Sequence, residues 1–172
     1  MMRLTRQKAK PSILLAFFLT VLGASSAVAG CSDPPGPGVN WVRCDLSHRQ
    51  FSAQDLTGAV IEATRFVRAD LSDSDFSNTK ARNAKFVSTN LLRANFTGAD
   101  ARESDFTKAE LQNANFEGTD LRRTRFFRAN LRGANLTAAR IEDADFYLAD
   151  LSGVIWLDGK RVCAEGSISF CK

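Results

Sequence analysis

The chain is predicted to be all-β, a coil with four sides, and three features of its sequence lead there. From Cys44 to Leu151 one five-residue phrase recurs without a break: a small residue, a polar one, a large apolar one, then two more polar ones. A period of five suits no helix, because five residues advance about 500° and successive large side chains would step roughly 140° round the axis. On one straight strand the same period would send alternate large residues to opposite faces. Each phrase is therefore a short extended piece that points its small and large residues inward, followed by a bend into the next phrase. Four bends close a square of twenty residues. The third feature is that residue types repeat at that twenty-residue spacing.

The four sides follow from that spacing. The Phe66 face stacks Leu46, Phe66, Phe86, Phe106, Phe126 and Phe146, and the face opposite stacks Leu56, Phe76, Phe96, Phe116 and Leu136. Between them lie the Leu71 face, from Phe51 through Leu71, Leu91, Leu111 and Leu131 to Leu151, and the Ala81 face, with Ile61, Ala81, Ala101, Leu121 and Ile141. Coils spaced about 4.8 Å apart would bring each Phe over the next, in a rod roughly 25 Å long. The small position, mostly Ala as in Ala69, Ala84, Ala94 and Ala114, falls at the crowded edge of the square. Gly58, Asn78, Gly98 and Gly118 close the phrase on the Phe76 face, where a type II corner needs positive φ. Arg49 and Gln54 occupy the small inward position of the first coil, so that coil is distorted or those side chains leave past its open end.

Phrases such as AnFtGAD, AnFeGtD, ANLrGANL and ADLSG resemble the pentapeptide repeat family. The resemblance covers Cys44 to about Trp156 and implies a right-handed quadrilateral β-helix, here of about five coils. Cytoplasmic members that act on DNA gyrase imitate duplex DNA by shape and negative charge. The tail GKRVCAEGSISFCK is similar to the endings of exported, Gram-negative members of the family.

Residues 1–30 read as a secretory signal: Arg3, Arg6, Lys8 and Lys10 precede the apolar run Ile13 to Leu22, and small residues follow to Ala29 and Gly30. The apolar run is too short to span a bilayer comfortably, so no transmembrane span is expected in the mature chain. Removing the signal removes four basic charges and no acidic one. The net charge of +4 falls to zero, nineteen Lys and Arg against nineteen Asp and Glu. A neutral chain lacks the phosphate-neutralising charge of a nucleic-acid binder, and it also lacks the negative charge of a DNA mimic.

Residues 31–43 form a Pro/Gly-rich entry and N-terminal cap, 44–156 the repeat, and 157–172 a closed tail. The four cysteines, Cys31, Cys44, Cys163 and Cys171, lie outside the repeat or at its ends. In an exported chain two disulfides would fix the ends: Cys31 to Cys44 across the first coil, and Cys163 to Cys171 over the last. The competing reading is a lipid anchor at Cys31, which Val28, Ala29 and Gly30 precede, but it leaves an odd number of thiols. Trp41 and Trp156 flank the repeat and read as lids over the apolar cross-section, which an open solenoid must cover.

No catalytic, cofactor or metal site is expected. The one histidine, His48, faces outward, and without a second imidazole no His-based triad or zinc site assembles. The Asp and Asn before each large residue, such as Asp70, Asp75, Asn95 and Asn115, recur with the phrase and read as structural, bonding along the stack or to the bend. A periplasmic enzyme is the weakest of the readings.

The outer surface carries the functional signal. The Phe66 face holds Arg65, Arg68, Lys85, Lys108, Arg125 and Arg128 against Asp45, Asp105 and Asp145, whereas the Phe76 face holds Asp55, Asp75 and Glu117 with no base. The Ala81 face mixes Arg82, Arg102 and Arg122 with acids, as a solvated salt-bridged surface does. Just after the large residues of the Phe66 face come Ser47, Val67, Val87, Thr107, Phe127 and Tyr147, with Leu148 beside Tyr147. Val67, Val87, Phe127, Tyr147 and Leu148, with Arg68, Arg125 and Arg128, thus form the candidate interaction ridge. Either the C-terminal tail folds back over it or a protein partner covers it, self or other, with a dimer as one such assembly. The chain therefore reads as a periplasmic or secreted module for structure or protein interaction, with a gyrase-directed DNA mimic as the alternative.

Overall fold

The computed structural model describes residues 30–172, so the leader assigned to residues 1–30 lies outside the described residues apart from Gly30. The backbone is a solenoid. Isolated parallel bridges join a residue to the one twenty positions on, from Asn40 with Val60 to Asn135 with Ile155, and they fall at every fifth residue. That register makes four columns of bridges. Two donors per phrase point to the next coil, as in Phe66 N to Lys85 O at 2.8 Å and Arg68 N to Val87 O at 3.1 Å. One donor returns, as in Lys85 N to Thr64 O at 2.8 Å.

Each side ends in a tight turn, closed for example by Ala69 N to Phe66 O at 3.0 Å. The residue two after every large one has positive φ, at every corner from Arg43 to Gly153. Glycine and asparagine signal positive φ on the Phe76 face, at Gly58, Asn78, Gly98 and Gly118. It also occurs at Ala53, Glu103, Lys108 and Leu148, because one corner geometry repeats on all four sides. The left-handed region costs a non-glycine residue on the order of 1–2 kcal/mol, and the coil-to-coil hydrogen bond made by that same residue helps to hold it there.

The core is two aromatic columns facing each other between two aliphatic ones. Phe66, Phe86, Phe106, Phe126 and Phe146 stack with ring centroids 4.7–5.3 Å apart and planes within 8°. Phe76, Phe96 and Phe116 stack at 4.8 and 5.1 Å. Across the square the columns meet edge to face, as for Phe86 and Phe96 at 5.8 Å and 83°. Offset stacking within a column and T-shaped contact between columns are the two arrangements that the ring quadrupole favours. From Leu56 to Leu136 every central side chain is fully buried.

At the small position, threonine and serine hydroxyls do more than fit. Thr89 Oγ1 donates to Phe66 O at 2.7 Å, Ser104 Oγ to Ala81 O at 2.6 Å and Thr119 Oγ1 to Phe96 O at 2.6 Å, in each case a carbonyl 23 residues back. The buried Thr79 Oγ1, among the described residues, has no partner. Thr119→Val is therefore expected to cost about 1 kcal/mol, and Thr79→Val to be neutral or stabilising, in urea unfolding. Equal effects at the two positions would show that the hydroxyl bonds contribute nothing.

The ends differ from the sequence reading. Trp41 and Trp156 occupy the central position of the phrase, and the register opens at Val39, with Trp41 N bonded to Val60 O at 2.9 Å. The repeat thus begins one phrase before Cys44, inside the stretch assigned as the cap. Trp41 is fully buried and stacks on Phe51 at 5.4 Å, so it is a rung of the core and not its lid. The cover is the entry itself, whose Asp33 carbonyl accepts the Trp41 indole N–H at 3.2 Å. Trp156 is half-buried beside Phe146 at 6.3 Å. Arg49 and Gln54 leave the first coil undistorted: Asp70 N to Arg49 O and Asp75 N to Gln54 O both measure 2.9 Å. Arg49 is exposed, and Gln54 is half-buried with its Nε2 donating to Ser52 O at 2.9 Å.

Candidate interaction surface

The aspartates and asparagines before each large residue are occupied with structure. Asp75 Oδ1 accepts Ser77 N at 2.8 Å and Asn95 Nδ2 at 3.0 Å, which ties the bend and the next coil together. Thr57, through its backbone N–H and then its hydroxyl, holds the Asp55 carboxyl below the usual carboxylate range. Ser47 lowers Asp45 chiefly through its hydroxyl and then its N–H. His48 is exposed, and among the described residues no group of His, Cys, Asp and Glu could hold a metal ion.

On the Ala81 face the arginines are matched by acids. Asp100 bonds Arg82 and Arg102 at 2.7 Å, and Asp120 bonds Arg122 at 2.6 Å and lies 3.6 Å from Arg140. The shallow groove among Arg102, Arg122, Arg140, Glu103 and Glu142, about 340 Å³, is therefore internally neutralised. Such exposed pairs contribute under about 1 kcal/mol each.

The Phe66 face is built differently. Val67, Val87 and Phe127 are half-buried, whereas Tyr147 is 61% exposed and Leu148 40%. The Phe127 and Tyr147 rings stack at 6.0 Å, and Arg128 lies over the Phe127 ring, 5.1 Å from its centroid. Among the described residues no carboxylate pairs with Arg68, Arg125 or Arg128; the face's one ion pair is Arg65 with Asp45 at 3.6 Å.

The structure joins Cys31 to Cys44 and Cys163 to Cys171, with Cα–Cα distances of 5.4 and 4.9 Å. The tail lies across the end of the last coil as an antiparallel addition, Asp150 bridging Ile168 and Ile155 bridging Val162. Arg132 clamps it through both carboxylate oxygens of Glu165, at 2.8 and 2.9 Å. It reaches the edge of the ridge, where Ser169 Oγ accepts Leu148 N at 2.9 Å, and stops beside Tyr147 without covering it. It adds apolar surface of its own in Val162, Ile168 and Phe170, at 58%, 40% and 62% exposure. Sequence reasoning missed these three. For Ile168 and Phe170 the signal was the alternation Ser167, Ile168, Ser169, Phe170, in which Ser167, not Ile168, is buried.

The family model for pentapeptide repeats matches in eight copies, over residues 55–91, 89–126 and 128–153, more than half of the chain. No curated protein matches. Among solved structures, a pentapeptide repeat protein (Rfr23) from the cyanobacterium Cyanothece 51142 is 22% identical, with a TM-score of 0.45, over 61% of this chain and 82% of that one. A pentapeptide repeat protein from the Arabidopsis thaliana thylakoid lumen is 22% identical, with a TM-score of 0.32, over 74% and 83%. QnrB1, a plasmid-mediated fluoroquinolone resistance protein, is 20% identical, with a TM-score of 0.32, over 75% and 79%. With its twenty-residue bridge register and its eight matched copies, the chain belongs to the pentapeptide repeat family.

Proposed function

We propose that this chain is an exported, non-enzymatic interaction module. It is a right-handed quadrilateral β-helix, of about six coils where the sequence suggested about five, since five bridges join six rungs in each column, and it offers the ridge on its Phe66 face to a protein partner. The observation that carries the reading is the exposed Tyr147 and Leu148 beside the Phe127–Arg128 pair, left uncovered by a tail bonded right next to them. Aromatic anchors bordered by arginine are the composition that protein interfaces favour. The two disulfides are compatible with a compartment outside the cytoplasm, and among the described residues no helix is long and apolar enough to cross a membrane. A DNA mimic needs a continuous acidic surface, and the acids of the Phe76 face, Asp55, Asp75 and Glu117, lie opposite a face of opposite sign.

Phe127→Ser combined with Tyr147→Ser is expected to weaken self-association, or retention of a periplasmic partner, at least about tenfold, as the loss of two interface anchors does. The melting temperature should stay nearly unchanged. A large loss of monomer stability with association untouched would assign the ridge to the fold instead.

A further inference from the structure

Among the described residues most charges of the Ala81 face are paired within the molecule, as in Asp100 with Arg82 and Arg102 and Asp120 with Arg122, and Arg132 with Glu165 holds the tail. On two opposite faces the unpaired charge is predominantly of one sign. The Phe66 face carries six basic residues against three acids, and Arg68, Lys85, Lys108, Arg125 and Arg128 have no carboxylate within 4.0 Å. Of its acids, Asp45 is paired with Arg65, and Asp105 and Asp145 have no cation at that distance. The Phe76 face carries Asp55, Asp75, Glu117 and Asp158 with no base, and none of these four is in an ion pair.

We propose that the Phe66 face of one copy docks against the Phe76 face of a second copy, so that rods associate side by side. This names the partner for the interaction-module reading and rests on it. Charge complementarity is one reason, since the chain carries both halves of the match and each half is unspent internally. Spacing is another. Charges on both faces recur by whole coils of about 4.8 Å, so a partner with the same rise keeps every rung in register when the axes are parallel. Shape agrees as well: the Phe76 face presents Thr57, Ser77, Thr97 and Thr137 beside corners at Gly58, Gly98 and Gly118, a low surface against which the Phe127 and Tyr147 rings can seat.

The two faces lie on opposite sides of one rod, so the contact is heterologous. A two-fold dimer through the Phe66 face would set cation against cation, whereas side-by-side docking leaves a free face on each outer rod and continues as a row. Exposed charges interact strongly only at low ionic strength, and such a row should therefore dissolve in salt.

Two variants of the full mature protein test this by sedimentation velocity. In the first, Arg68→Glu, Lys108→Glu and Arg128→Glu reverse the basic face. In the second, Asp55→Asn and Asp75→Asn keep the acceptor at each bend, while Asn78→Lys and Glu117→Lys reverse the acidic face. Wild type should associate with rising concentration at about 20 mM salt and be monomeric at about 500 mM, where the Debye length is a few ångströms. Each variant alone should be monomeric at the lower salt, and an equimolar mixture of the two should associate again.

A wild type that stays monomeric at low salt would overturn the proposal and leave the interaction-module reading to the ridge variant and a different partner. Association that survives both sets of reversals and salt, yet is lost in Phe127→Ser with Tyr147→Ser, would overturn it in favour of an apolar symmetric contact. Loss of partner binding in no variant at all would defeat the interaction-module reading itself.

Discussion

Phe96→Ala is expected to lower the stability of the protein by about 3–5 kcal/mol in urea unfolding, the range for truncating a buried aromatic side chain. The ring is fully buried between Phe76 and Phe116, at 4.8 and 5.1 Å, and meets Phe86 and Phe106 edge to face at 5.8 and 5.7 Å. A solenoid gives such a cavity little room to collapse, because the coils above and below are held in register by backbone bonds on all four sides. Thr97, one residue along, faces outward, and its hydroxyl donates to Asn95 Oδ1 at 2.6 Å and accepts from Asn115 Nδ2 at 2.9 Å. Thr97→Ala should therefore cost less than about 1 kcal/mol. Comparable losses at the two positions would contradict the placement of alternate residues inside and outside the square.

The second large effect belongs to the disulfide at the N-terminal end. Cys31→Ala with Cys44→Ala should destabilise by about 3 kcal/mol, the loop-closure value for a cross-link over a separation of thirteen residues. Alanine is the usual occupant of the slot that Cys44 fills, at 1% exposure, so the pair of substitutions removes the cross-link and little packing. Without it the entry is held over Trp41 by few bonds, chiefly the Asp33 carbonyl to the indole N–H and Gly38 N to Thr57 O at 2.8 Å. Trp41 emission should shift to the red as water reaches it. An unchanged urea midpoint and unchanged emission would show that the entry is fastened by other means. The two cross-links together predict no titratable thiol among Cys31, Cys44, Cys163 and Cys171, and a diacylglyceryl adduct on Cys31 by mass spectrometry would replace the first of them with a lipid anchor.

Where the sequence reading went short, the reason lies in contacts that carry no five-residue phase. Trp41 and Trp156 keep the phase of the phrase, yet their bulk and their neighbours outside the repeat made them read as lids. Only the bridge of Asn40 to Val60 places Trp41 inside the register. The hydroxyl of Thr119 looked like a mere small residue because its acceptor, the Phe96 carbonyl, lies 23 positions back. The exposed Val162, Ile168 and Phe170 belong to a tail that runs antiparallel to the last coil, so the phrase could not say which way they point.

By itself the sequence determined which side chains enter the core and which faces carry which charges. In a coil of fixed period, phase alone assigns each residue to the inside or the outside and to one of four sides. Only the tertiary structure decided what happens where that period has no say. Every corner adopts positive φ, at arginine, alanine and leucine as well as at glycine, because the bond to the next coil stabilises a conformation that local preference opposes. The tail settles against the last coil through Arg132 and Glu165 and leaves Tyr147 in solvent, because its position depends on where the final unpaired edge offers hydrogen bonds. No pattern internal to the repeat records that edge.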